Sequence, residues 1–188
     1  MHSLSQRAST LCSYVTSALL AVYILVSIIT LASTPGTVDS VKFKAAKPIV
    51  SIKNTRNYGG TKNTPKENAR FKFDLVADFS NVVDWNTKQI FTYIYVELDD
   101  EHNETESKIQ NNKLIIWDKI LTDKSSMYIN YRNLKSKYSI WDYEAQLAGR
   151  TGKFKLGYNV QPQFGPLTFG DVDLEERFIF PEPKTITA

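Results

Sequence analysis

The sequence predicts a mainly β protein: one N-terminal transmembrane helix followed by an antiparallel β-sandwich. Three observations carry this. Leu11 to Ala32 reads LCSYVTSALLAVYILVSIITLA, without one charged side chain. Downstream, short segments alternate apolar and polar residues with period two, the mark of half-buried strands. Beyond the apolar run no long helical stripe appears. About seven short strands separated by turn signals then point to a sandwich.

The apolar run comes first. Its roughly 22 residues, at about 1.5 Å rise each, make a helix of about 33 Å, against about 30 Å for the hydrocarbon core of a bilayer. A cleaved secretory signal is the competing reading, with Arg7 as its basic region and Ala32-Ser33-Thr34 as a weak cleavage site. Cleaved signals have apolar regions of about 7–15 residues, so length favours a retained signal-anchor. The chain then divides into a short tail at 1–10, the anchor at 11–32, a hinge at 33–40 and a domain at 41–188. Ser33-Thr34-Pro35-Gly36 ends the helix, because Pro and Gly do not continue it.

The domain is long enough to bury a core without metals or disulfides. Disulfides within the chain are excluded, since Cys12 is the only cysteine and lies in the apolar run. With no charge nearby to lower its pKa, Cys12 reads as a small hydrophobe rather than a reactive thiol. Net charge is +3, and the basic residues are scattered. Nucleic-acid binding needs a concentrated basic stripe, so it is discounted. Charge alone orients the anchor poorly: Arg7 and the α-amino group face Lys42, Lys44 and Lys47 across it. A plain count puts the lysine flank in the cytoplasm, but large domains translocate with little regard to charge. The sequon Asn103-Glu104-Thr105 makes Asn103 a possible N-glycosylation site and argues for a lumenal or exterior domain.

The strands follow in order. Val41 to Ile52 reads as one strand interrupted by Pro48, which lacks a ladder donor and so belongs at an edge or bulge. Asn54 to Asn68, with Gly59-Gly60 and Pro65, reads as a loop. In Phe71 to Phe79, the residues Phe71, Phe73, Leu75, Ala77 and Phe79 share one face. Asn81 to Trp85 reads as a turn. Gln89 to Leu98 is apolar on both faces, so it is a central strand or one covered by a partner. Asp99 to Asn112 is an acidic loop. Lys113 to Leu121, Met127 to Tyr131, Lys153 to Val160 and Glu175 to Phe180 complete the strand set.

His102 with Asp100 has the chemistry of a base and its orienter, yet sits in the acidic loop DDEHNETE and reads better as solvated. Asp74 and Asp78 lie about 13 Å apart along a strand, too far for a glycosidase pair, which needs about 5–9.5 Å. Gly149-Arg150-Thr151-Gly152-Lys153 lacks phosphate-loop spacing and reads as a hairpin turn. Neither a Gly-x-Ser-x-Gly elbow nor a metal-ligand cluster occurs. A Ser-Lys dyad stays open, because both residues are abundant. No catalytic, cofactor-binding or metal-binding residues are assigned. Trp85, Trp117 and Trp141 each neighbour an Asp and read as core anchors or turn locks, with interface anchoring as the alternative.

Phe73 to Leu98, FDLVADFSNVVDWNTKQIFTYIYVEL, resembles the signal peptidase complex subunit 3 family of the eukaryotic endoplasmic reticulum. The resemblance rests on Phe73, Asp74, Ala77 and Asp78, then Asp84, Trp85, Asn86, Lys88, Gln89 and Phe91. Trp117-Asp118-Lys119-Ile120 matches a second block, and Lys137-Tyr138 with Tyr158-Asn159-Val160 and Pro162 a third. The anchor matches in place and length, whereas the segment Asn54 to Arg70 is longer than the family pattern. The resemblance implies a single-pass type II protein of the endoplasmic-reticulum membrane with a lumenal sandwich. It implies an accessory subunit without catalysis of its own, positioning the catalytic subunit that removes signal peptides. Its partners would be that subunit, the other membrane subunits and the bilayer through residues 11–32, with no cofactor and no nucleic acid. Asp84, Trp85, Asn86, Lys88, Gln89, Trp117, Asp118 and Lys119 become structural or interface candidates. From the residues alone, a membrane-anchored adhesion or ligand-binding sandwich at the cell surface remains an alternative, and a membrane-tethered hydrolase another.

Overall fold

The computed structural model describes residues 3–32, 36–54, 65–99, 113–141 and 147–183. Among the described residues a helix, α1 (Leu4–Ala32), precedes ten strands: β1 (Asp39–Ala45), β2 (Ile49–Asn54), β3 (Pro65–Arg70), β4 (Lys72–Asp78), β5 (Thr87–Asp99), β6 (Lys113–Leu121), β7 (Tyr128–Lys135), β8 (Ile140–Trp141), β9 (Thr151–Pro162) and β10 (Thr168–Ile179). The predicted mainly β class with one apolar helix is what the structure has.

Helix α1 begins seven residues before the apolar run, at Leu4. Ser3 explains this start, since its hydroxyl accepts the Gln6 N–H, as an N-cap does. None of the helix residues is buried. Its hydroxyls turn inward on the backbone: Thr10, Thr16, Ser17, Ser27 and Thr30 each donate to the carbonyl four residues earlier. That pairing hides polar groups that hydrocarbon would not solvate. Cys12 is exposed on the same surface.

Every strand pair in the ladders is antiparallel. One four-stranded sheet runs β10-β9-β5-β6, and two three-stranded sheets run β1-β4-β7 and β2-β3-β8. The small sheets share a logic. β1 leads into β2, β3 into β4 and β7 into β8, each across a short break, so the two are successive halves of one bent layer. The bend is tied by Ala46 N–H to Lys72 O at 2.8 Å and Ser136 N–H to Phe71 O at 2.9 Å. The predicted single strand Val41 to Ile52 is therefore two strands in different sheets, parted at residues 46–48. Pro48 sits at the break, and β1 and β2 are both edge strands, where a missing donor costs least.

The bent layer packs on the four-stranded sheet through aromatic rings. Phe71 meets Phe154 at 5.5 Å and Phe178 at 5.1 Å, and Phe43 meets Phe154 at 5.1 Å. Phe73 meets Trp117 at 6.4 Å, and Phe79 meets Tyr158 at 6.1 Å. Edge-on rings at such spacing add to the area they bury. The alternation read in Phe71 to Phe79 holds: all five apolar residues are at most 2% exposed. β5 lies between β9 and β6, the central position expected of a strand apolar on both faces.

Two further expectations are corrected. Pro65 to Asn68, read as loop, belongs to β3, the middle strand of its sheet. Lys66, Glu67 and Asn68 are buried there despite their polarity, and Glu67 Oε2 accepts the Leu147 and Ala148 N–H groups at 2.6 and 2.9 Å. The last strand starts at Thr168 rather than Glu175 and carries a register shift between Asp173 and Arg177. Its charges masked the pattern. The turn expected at Asn81 to Trp85 is a 3₁₀ turn at Ser80–Val82 followed by a turn at residues 85–86. The hairpin turn expected over Gly149 to Lys153 is instead a turn at residues 148–149, with Thr151 onward already in β9, because β8 and β9 lie in different sheets.

Candidate functional site

The Asp84-Trp85-Asn86 segment forms the turn between the 3₁₀ turn and β5. Asp84 shapes it: its Oδ1 accepts the Asn86 N–H at 2.9 Å and the Thr87 hydroxyl at 2.7 Å, while its own N–H donates to that hydroxyl at 2.9 Å. This folding of an Asp carboxylate onto the backbone two residues on is ordinary Asx-turn chemistry. It throws Trp85 outward, 65% exposed, and drives Asn86 inward, 1% exposed.

Asn86 then joins three parts of the chain. Its Nδ2 donates to Thr30 Oγ1 of α1 at 2.7 Å and to Phe164 O at 2.7 Å. Its Oδ1 accepts the Phe164 N–H at 3.2 Å, and its carbonyl accepts the Gln163 N–H at 2.6 Å. The Thr30 hydroxyl in turn donates to Val26 O at 2.9 Å. The turn, the β9–β10 connection and the end of α1 are thus locked by one amide. Next to it, Phe164 packs edge-on against Tyr23 at 6.1 Å. Gly165, at φ +114°, brings its backbone to α1: a Cβ there would lie 3.7 Å from Ser27 Cα and Thr30 Cβ. Only glycine adopts that φ without strain. Gly36 is equally constrained, since a Cβ would fall 2.0 Å from Asn81 O. A cleft lined by Thr30, Gly36, Val83, Trp85, Pro166 and Thr168 sits at this junction.

The remaining predicted residues separate into structural roles and surface. Gln89 Nε2 donates to Gln161 Oε1 at 2.6 Å across the β5–β9 ladder. Lys88 is exposed. Trp117 is 6% exposed and packs on Phe73 and on Tyr131, the latter at 5.9 Å, so it is a core anchor. Lys137 Nζ donates to both oxygens of Asp118 at 2.9 Å. That bond holds the Asp118 carboxyl below its usual range and the Lys137 ammonium above its own. Lys119 donates to the Tyr131 hydroxyl and lies over its ring. Trp117-Asp118-Lys119 therefore ties β6 to β7 and to the bend that follows it, away from the junction. Asn103 and His102 lie outside the described residues.

The carboxylates weighed for catalysis have local work. Asp74 Oδ1 accepts the Asn133 N–H at 2.6 Å, and Asp78 Oδ1 accepts the Ser80 N–H at 2.9 Å; the Ser80 side chain, together with that N–H, holds the Asp78 carboxyl below its usual range. Among the described residues no group of three His, Cys, Asp or Glu side chains could hold a metal ion.

Sequence reasoning missed Thr30, Phe164 and Gly165. Thr30 looked like any residue of the apolar run, and no local pattern joins it to Asn86, 56 positions away.

The outer face of the four-stranded sheet is the other notable surface. Phe91 stacks on Tyr93 at 5.5 Å, and Tyr93 meets Tyr95 at 5.8 Å, a ladder along β5. Ile120 and Ile115, opposite Phe91 and Tyr95, are 51% and 45% exposed. Burial, with Asp171 and Glu97 nearby, pushes the Tyr95 hydroxyl up to about 12.

A family model described as signal peptidase subunit matches residues 1–183. The signal peptidase complex subunit 3 of Debaryomyces hansenii is 43% identical over 136 residues, covering 72% of this chain and 69% of the relative. That of Saccharomyces cerevisiae is 40% identical over 140 residues, covering 74% and 70%. That of Caenorhabditis elegans is 29% identical over 188 residues, covering 100% and 97%. The adhesion reading draws nothing from these relatives.

Proposed function

The chain belongs to the signal peptidase subunit family, and we propose that it serves as an accessory, non-catalytic subunit of a signal peptidase complex in the endoplasmic-reticulum membrane. The observation that carries this is the match of the family model along both helix and sandwich, residues 1–183. On this reading α1 crosses the bilayer once with the tail 1–10 in the cytosol. The domain 41–188 stands in the lumen beside a separate catalytic subunit. Two features support a holding role. Confining a folded domain to the layer next to the bilayer raises its effective concentration against a co-anchored partner. The junction at Asn86 also fixes the sandwich to its anchor, so a docked partner is held at one height rather than on a loose tether.

Phe91 and Tyr93 of the ladder, with the exposed Ile115 and Ile120, form the face offered to the partner, while Tyr95 is buried beside them. Aromatic residues with apolar neighbours are the usual anchors of such contacts. The test is a tagged chain expressed in place of the native one and recovered from a mild-detergent extract. Signal-cleaving activity should co-purify with it, and depletion should leave secretory precursors uncleaved. Ile120→Asp, on an exposed position, should reduce recovery of the catalytic subunit. Normal precursor cleavage after depletion would overturn the function. In sealed microsomes the domain should resist added protease, and its digestion would overturn the lumenal topology.

A further inference from the structure

We propose that the β9–β10 connection, together with Trp85, seats the sandwich in the lipid surface itself, with Trp85, Phe164, Leu167 and Phe169 entering the boundary between headgroups and acyl chains. Four large apolar side chains are exposed near the junction: Trp85 at 65% in the turn, Phe164 at 52% and Leu167 at 50% in the connection, and Phe169 at 70% at the start of β10, opposite Asn159. The connection Gln163-Phe164-Gly165-Pro166-Leu167 and the first two residues of β10, Thr168 and Phe169, carry no charge.

Position along α1 identifies the occupant as lipid. Thr30, bonded to Asn86, is two residues from the end of the helix, and Tyr23, packed on Phe164, is nine. At about 1.5 Å per residue, the domain surface runs beside the helix from about 3 to about 14 Å short of its end. That stretch, Tyr23 to Ala32, contains no charge and continues the apolar run. If α1 spans a bilayer, a surface packed along that length lies at headgroup depth or below. The proposal rests on that span and adds the depth of the sandwich to it.

The polar groups agree with this depth. Backbone N–H and C=O groups entering lipid must find partners within the protein. The Gln163 and Phe164 N–H groups and the Phe164 carbonyl are all bonded to Asn86. Trp and Phe suit this zone, and Lys88, two residues beyond Asn86, is exposed, a side chain of the kind that keeps its charge among headgroups while its stem lies on apolar surface.

The test uses the full chain reconstituted alone into phosphatidylcholine vesicles. Trp85→Phe removes the exposed indole and leaves the buried Trp117 and the half-buried Trp141 as background. Phe169→Trp in that chain then reports on the segment, and Leu20→Trp in a second chain reports on the helix. The Phe169→Trp chain should lose emission when lipids brominated at a shallow acyl position are used, and should be shielded from aqueous iodide. If Leu20→Trp is quenched by brominated lipid while Phe169→Trp is quenched only by iodide, the seat is refuted and the span stands. The segment then faces water, or a protein partner missing from the vesicle. If Leu20→Trp is not quenched, the span fails and the seat with it.

Discussion

Asn86→Ala should loosen the whole junction, and the expected cost follows from its bonds. The side chain is 1% exposed and makes three hydrogen bonds, two with Phe164 and one with Thr30. At about 1 kcal/mol for each buried bond, the loss is about 3 kcal/mol. With urea slopes of about 1–3 kcal/mol per molar, the unfolding midpoint should fall by about 1–3 M. Thr30→Val keeps the side-chain shape and removes the bond between Asn86 and the helix, a loss at the junction of about 1 kcal/mol; it also removes the hydroxyl's bond to Val26 O, a carbonyl that stays in the helix ladder. The two changes share that bond, so together they should cost about 3 kcal/mol rather than about 4. The assay is urea unfolding of the detergent-solubilised full chain, followed by near-ultraviolet circular dichroism of the sandwich. The geometry would be refuted if the two losses added fully. An Asn86→Ala cost below about 1 kcal/mol would refute it too.

The core, the bend and the connection to the helix give further expectations. Phe71→Ala removes a ring in contact with Phe154, Phe178 and Phe180; it should cost about 3–5 kcal/mol, read from the same urea titration. Gly165→Ala forces a side chain onto φ +114° and should destabilise by about 1 kcal/mol or more; an unchanged midpoint would show that the connection is free to relax. The Asp118 carboxyl sits below its ordinary value of 3.8 in the folded chain, so its contribution is present above that pH and is lost as pH falls through the lowered value. The Lys137 ammonium sits above 10.5, so its contribution is present below that pH and is lost as pH rises through the raised value. Asp118→Asn should therefore flatten the acid side of a stability profile measured by thermal unfolding against pH, and an unaltered profile would count against the pair.

Some of this protein was legible as a string of residues. An uncharged apolar run needs no partner to declare itself, because its length and composition are local properties. The strand Phe71 to Phe79 was equally plain, since every second residue is buried at 2% exposure or less. The signature residues Asp84, Trp85 and Asn86 could be picked out, but not their division of labour. Only the folded chain shows that Asp84 bends the turn, Asn86 grips the helix and Trp85 faces outward. The strand Pro65–Arg70 was hidden because Lys66, Glu67 and Asn68 are buried polar residues, and the partners that hold Glu67, the Leu147 and Ala148 N–H groups, come from 80 and 81 residues away. Pro48 announced an interruption, yet whether it made a bulge or divided the chain between two sheets depended on strands far along the sequence. The junction of Thr30, Asn86 and Phe164 is the extreme case. Its bonds span 56 and 78 positions, and no periodicity records a contact at such separation. The sequence by itself determined that a helix suited to a membrane carries a β domain. The tertiary structure decided how that domain is fastened to the helix, because the fastening is made by side chains that meet only after the sheets have formed.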